Sequence, residues 1–511
     1  MTSFKQDGLS LILILAMSVS TILMSTPITH AQDNNGYTVT TVGGTDTPIN
    51  FDDQTIAGFS FTDMSFRSTY PTGMTFTVAI TPPQNATIQQ VSLAYTFSNT
   101  GSRGEPAEVL QGDQANTWTA TLYALRGMTP WHEIDASWQV RTTDGDTISG
   151  TPLHAIYYDP TRPWYRAESE DILVYWFGVS NELGRYVIDA MARNREKYRD
   201  GFGKLLPYRP VAIIYPPGGV WNEYKAGVVI DDTDFGSTGT IINEPGSTIQ
   251  RVRTLESAAI RKDCIWNPTS PDQEFQFNQA ASTTVHEVAH LYQREVGVGG
   301  PTWWGEGQAT FFETFPEYPV HDRLRQLAKL RDGDFPSFQG AGPGGGPYTA
   351  SEDGCTHLIY DMGSSFMLWL VDAHGGLDTY RSIVDEMAHG ITLEQALQTV
   401  TGMSMLELEN EWRAFLGIGE VPAEILDPAL MLSEPAEPFF EVSEQVILPA
   451  TPFQQLVFTS PEEKPVSNLT CFANTPVVIL RAGNDGTSNW YEVDCMGIVG
   501  WMNQSQLAGA Q

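Results

Sequence analysis

Residues 286–290 read His-Glu-Val-Ala-His, inside the largely apolar stretch Thr284 to Leu291. On a helix of 3.6 residues per turn, histidines four apart project from nearly the same side and can chelate one ion. Glu287 is turned about 100° from His286, so its carboxylate stands beside such an ion without ligating it. Zinc lowers the pKa of a water toward neutrality, and a neighbouring carboxylate can take the proton as that water attacks a carbonyl. That is hydrolytic chemistry. Two imidazoles do not complete a catalytic zinc site, which needs three protein ligands and an open position. Glu306, in Pro301-Thr-Trp-Trp-Gly-Glu306-Gly-Gln-Ala-Thr310, is the candidate third ligand.

The two elements together resemble the gluzincin group of zinc metallopeptidases, in which H-E-x-x-H is followed by W-x-x-E-G on the next helix. Trp303-Trp-Gly-Glu306-Gly307 reproduces the second element. The resemblance implies one catalytic zinc held by His286, His290 and Glu306, with Glu287 as general base. Ile359-Tyr360-Asp-Met-Gly363 resembles the Y-x-x-G helix start of gluzincin aminopeptidases, which implies Tyr360 as the donor that stabilises the oxyanion. The family's usual Lys before that Gly is Met362 here. His357 shares a helical face with Tyr360 and reads either as an alternative donor or as a partly buried helix histidine. His374 reads as a helix C-terminus, where an imidazolium suits the dipole. Thr310 and Glu313 follow Glu306 at helical spacing and either support the zinc-bound histidines or face solvent. Trp303 and Trp304 read as core packing around the site.

Gluzincins generally hold an extended peptide against an edge strand, and residues 236–243 are expected to form it. The G-x-M-x-N element with which the aminopeptidases of the group hold a free amine is not visible, so the resemblance favours an endopeptidase.

These side chains need a scaffold, and the texture of the chain suggests a multidomain one. Residues 32–160 carry short alternating segments, among them Met74–Ile80, Gln90–Phe97, Thr117–Leu122 and Ala136–Arg141, separated by turn signals. This reads as an all-β sandwich resembling an immunoglobulin or fibronectin type III module. Residues 161–417 read as an α+β domain, which by the resemblance is thermolysin-like. Its expected elements are strands at Ile172–Trp176, Val211–Tyr215 and Thr238–Asn243, a helix over Asn181–Asp200, and helices from about residue 279 to Leu416. Residues 418–465 are rich in Pro and Glu and read as a linker. Residues 466–511 resemble a bacterial SH3-like domain, a small all-β barrel, through Leu480-Arg481, Trp490-Tyr-Glu-Val493 and Gly500-Trp501. That resemblance implies a cell-wall partner or a tether.

The net charge of −33 argues against a nucleic-acid partner, whose phosphates demand clustered Lys and Arg. Lys5, the apolar run Leu11–Met24 and Thr29-His-Ala31 have the layout of a signal peptide over 1–31, cut before Gln32. The mature chain is then expected to be exported, with no membrane span. Four cysteines suit disulfides, and sequence grouping suggests Cys264–Cys355 and Cys471–Cys495. The leading reading is a secreted zinc peptidase acting on peptide or protein substrates. The rival is an extracellular binding or adhesion protein whose peptidase-like domain no longer cuts.

Overall fold

The computed structural model describes the chain from 31 to 507, except for 33–36, 105–106, 115, 124–128, 218–238, 243–244, 254–271, 314–319, 331–334, 340–357, 427–431, 433–439, 441, 444, 449–454, 459–464, 472–474, 486 and 496–497. Residues 1–30 of the expected signal peptide, Cys264, Cys355 and His357 lie outside the described residues. The fold is multidomain and mixes helices with several sheets.

A seven-stranded sheet forms the middle layer. Its order is Ala31–Gln32, Thr38–Gly43, Pro163–Glu168, Leu173–Trp176, Val211–Tyr215, Ser247–Arg251 and Gly239–Ile242. The pairings of Val211–Tyr215 with its two neighbours are parallel and the others antiparallel. Strands covered on both faces should be apolar throughout, and the sequences Leu-Val-Tyr-Trp and Val-Ala-Ile-Ile-Tyr meet that demand. Alternate residues then serve different cores. Leu173, Tyr175, Val211, Ile213, Tyr215 and Ile249 pack with the N-terminal β-module, whereas Val174, Trp176, Ala212 and Ile214 pack under the helices.

The N-terminal module consists of two antiparallel sheets. One is centred on Ile88–Phe97 and His132–Thr142, the other on Phe59–Ser68, Gly73–Thr81 and Thr117–Tyr123. Its seam with the middle sheet is aromatic: Trp131 stacks on Tyr175 with ring centroids 4.9 Å apart, and the hydroxyls of Tyr70 and Tyr215 lie 3.1 Å apart. Thr38–Gly43, placed by the sequence in the sandwich, instead pairs with Pro163–Glu168 in the middle sheet. A β-branched run such as Thr-Val-Thr-Thr-Val suits any sheet, so its partner is fixed by distant residues rather than by its own pattern.

The helices cover the other face. They are α1 (Leu183–Phe202), α2 (Gln273–Val296), α3 (Thr302–Phe312), α4 (Val320–Leu330), α5 (Leu358–Ala373), α6 (Leu377–Ala388), α7 (Leu393–Thr401) and α8 (Met405–Leu416). Trp303 and Trp304 are buried in their common core, as expected. His374 follows the last residue of α5, its amide donating to Leu370 O.

The C-terminal sheet corrects two expectations. Gln445–Ile447 and Gln455–Phe458, inside the expected linker, are strands of this sheet. Its six strands run in one open order, with the first and last unpaired to each other among the described residues, so no closed barrel forms there. The linker reading failed because Pro- and Glu-rich composition reports poor self-sufficiency, while these short strands are held by long-range pairing. Cys471 and Cys495 form the expected disulfide.

Candidate metal centre

Helix α2 begins at Asp272, whose side chain accepts from the Phe275 amide, and ends at Gly297 in the left-handed conformation. These caps satisfy orphan backbone groups at both ends. The helix is fixed laterally as well. Gln250 Nε2 donates to Ala280 O and to Thr284 Oγ1, both at 2.7 Å, and Tyr198 Oη of α1 donates to Val285 O at 2.5 Å. The backbone of the turn that carries His286 is therefore held from two sides.

His286, His290 and Glu306 are brought together. His286 Nε2 lies 3.1 Å from Glu306 Oε2 and 3.2 Å from His290 Nε2, and His290 Nε2 lies 3.4 Å from the same carboxylate oxygen. Three donors on one tetrahedral ion with bonds of about 2.0–2.1 Å should stand roughly 3.3 Å apart. The residues thus fit zinc in type and in spacing, and they form a group of potential metal ligands among the described residues.

The outer nitrogens are held too. His286 Nδ1 is 2.8 Å from Glu313 Oε1, whose other oxygen accepts from Ser282 Oγ at 3.0 Å. His290 Nδ1 is 2.9 Å from Gln293 Oε1. Each contact leaves Nε2 facing the centre, the arrangement expected of zinc-bound histidines. Of Thr310 and Glu313, read from the sequence as either supporting the histidines or facing solvent, Glu313 contacts His286. Thr310 Oγ1 is buried without a hydrogen-bond partner among the described residues. Gln293 was missed by sequence reading, although its place three residues beyond His290 put it on the same helical face.

Burial would lower His286, but the bonds from Glu306 and Glu313 outweigh it and hold the imidazole well above its ordinary value. Burial would likewise raise Glu306, yet bonds from both imidazoles hold it well below the usual carboxylate range. These two carboxylates bias His286 toward its protonated form. Zinc needs the neutral lone pair, so zinc uptake should be accompanied by proton release. Apparent affinity should climb with pH until the raised His286 value is passed and then level off. Calorimetry in buffers of different ionisation enthalpy reads the proton count, and a count of zero contradicts this electrostatic picture.

Glu287 is buried, and burial pushes its carboxyl above the ordinary value, with the two imidazoles opposing. It faces the edge strand Gly239–Ile242: a Cβ on Gly239 would come within 2.5 Å of Glu287 Oε1. Of the strand expected over 236–243, the described part is Gly239–Ile242, at one end of the middle sheet and beside the Glu287 carboxylate, while 236–238 and 243 lie outside the described residues.

Tyr360 sits in the first turn of α5, its ring centroid 5.8 Å from that of His286. Two glycines bring its helix in. A Cβ on Gly363 would meet Trp303 O at 2.2 Å, and one on Gly307 would meet Gly363 Cα at 2.6 Å. The crossing of α3 and α5 is therefore a backbone-to-backbone contact. Gly363→Ala forces these backbones apart and should cost about 1–3 kcal/mol as overpacking, read by denaturant unfolding of the metal-free protein. An unchanged midpoint would show the crossing to be loose. Met362, where the resembled family carries Lys, is fully buried in the helical core. Behind Tyr360, Asp361 pairs with Arg323 of α4 in a buried salt bridge.

No protein-family model and no curated protein matches the chain. Among solved structures it is similar to an M1 zinc metallopeptidase from Deinococcus radiodurans (12% identity, TM-score 0.26, covering 70% of this chain and 91% of that one). It is also similar to an aminopeptidase N family protein from Idiomarina loihiensis (12%, 0.29, 86% and 93%) and to Legionella pneumophila aminopeptidase A in complex with aspartic acid (9%, 0.28, 92% and 54%). Likenesses at such TM-scores carry no weight for function, which rests on the geometry of the site.

Proposed function

We propose that this protein is a zinc-dependent peptidase of gluzincin type, with one zinc on His286, His290 and Glu306. The observation that carries the reading is the triangle of 3.1–3.4 Å between three ligand atoms, each imidazole held from behind by an acceptor. When bound, zinc supplies Lewis acidity toward a carbonyl oxygen and acidifies water. Glu287 takes the proton of the attacking water and passes it to the leaving amine. Its raised carboxyl suits both halves of that task. Tyr360 donates to the oxygen that becomes negative. The substrate lies extended along Gly239–Ile242.

Endopeptidase action is part of the proposal on the sequence alone, in which the G-x-M-x-N element of the resembled aminopeptidases is not visible. Export is supported by the apolar run at 11–24 and by the Cys471–Cys495 disulfide, which favours an oxidising compartment. No helix among the described residues is long and apolar enough to cross a membrane. Cell-wall association through the C-terminal module, as the SH3-like resemblance implies, belongs to the same proposal.

Metal analysis of the purified chain, with casein hydrolysis before and after chelation, tests the reading. Stoichiometric zinc and chelator-sensitive cleavage are expected. Stoichiometric zinc with no cleavage across a peptide library would instead identify a binding protein.

A further inference from the structure

Gln293 is buried on α2, one turn beyond His290, and both ends of its amide are engaged. Nε2 donates to Gly305 O at 2.8 Å, while Oε1 lies 2.9 Å from His290 Nδ1. A backbone carbonyl only accepts, so the amide nitrogen must face Gly305 and the amide oxygen must face the imidazole. That oxygen in turn only accepts, which puts the proton of a neutral His290 on Nδ1 and leaves the Nε2 lone pair toward Glu306. Gly305 immediately precedes Glu306 in α3. One neutral amide therefore ties the second imidazole to the helix that carries the carboxylate. His286 differs, since its outer nitrogen meets the carboxylate of Glu313.

We infer that Gln293 is a positioning residue, a two-ended strut that sets both the tautomer of His290 and the spacing between His290 and Glu306. The inference rests on the zinc reading above and deepens it. A carboxylate in place of the amide would still accept from His290 but could not donate to Gly305, so substitution separates the two ends.

The test measures zinc affinity of the full chain by chelator competition, alongside thermal melting of the metal-free forms. Gln293→Leu should weaken zinc about 10–100-fold, as loss of an outer partner of a zinc-bound histidine does, with the metal-free fold retained. Gln293→Glu should also bind more weakly than wild type, because the tie to Gly305 is gone. Zinc binding by Gln293→Leu within twofold of wild type overturns the role altogether. Zinc binding by Gln293→Glu as tight as wild type overturns the strut. Histidine ¹⁵N NMR on the unsubstituted protein gives a check that needs no variant: a His290 Nδ1 without its proton overturns the assignment. A wild-type chain that takes up no zinc removes the underlying peptidase reading as well, which distinguishes the two failures.

Discussion

Glu287→Gln keeps its zinc and loses about a hundredfold to ten-thousandfold in kcat, the range for removing a general acid–base group. The substitution preserves shape and hydrogen-bonding reach while removing basicity. Glu287 is not one of the three atoms that form the ligand triangle, so metal content should stay at wild-type stoichiometry. Its carboxylate is buried between α2 and the Gly239 backbone, and the neighbouring carboxylates of Glu306 and Glu313 are both committed to His286. Burial raises the Glu287 carboxyl. Activity should therefore fall as pH drops through that raised value, since the base must be ionised before it can accept a proton. Single-turnover hydrolysis of a fluorogenic peptide by zinc-loaded protein reads both effects. Full activity in the Gln variant removes Glu287 from the mechanism.

Tyr360→Phe lowers kcat by about 10²–10³ with little change in KM, as loss of one oxyanion donor does. The substituted ring packs against His286 as before, because the α3–α5 crossing and the Arg323–Asp361 pair that place it are untouched. What disappears is a single O–H, whose proposed role is to donate as the carbonyl oxygen gains charge. A rise in KM at constant kcat would instead make Tyr360 a ground-state binding residue. Zinc content and unfolding midpoint serve as controls, and both should match wild type.

The site was more legible in the sequence than the scaffold, for physical reasons. His286, Glu287 and His290 are neighbours on one helix, so local periodicity alone puts them together. Glu306 is on a separate helix, and it was reached through a short motif whose Gly307 has a structural reason, the close approach to Gly363. Gln293 escaped notice because an amide on a helix carries no chemical signature until its two partners are seen. The strands of the sandwich were readable because one of their faces is buried, which imposes alternation. Thr38–Gly43 and the strands inside the Pro- and Glu-rich region were not, since their partners are far away in sequence. Ser247–Arg251 was missed for another reason. Buried on both faces, with Gln250 turned to α2 instead of to water, it shows neither an alternating nor a fully apolar pattern.

The zinc centre itself is tested most directly by anomalous diffraction at the zinc edge from crystals of the unsubstituted protein. One full-occupancy peak is expected at about 2.0–2.2 Å from His286 Nε2, His290 Nε2 and a Glu306 oxygen. A peak elsewhere, or a Glu306 carboxylate turned away from the two imidazoles, would contradict the proposed function at its root.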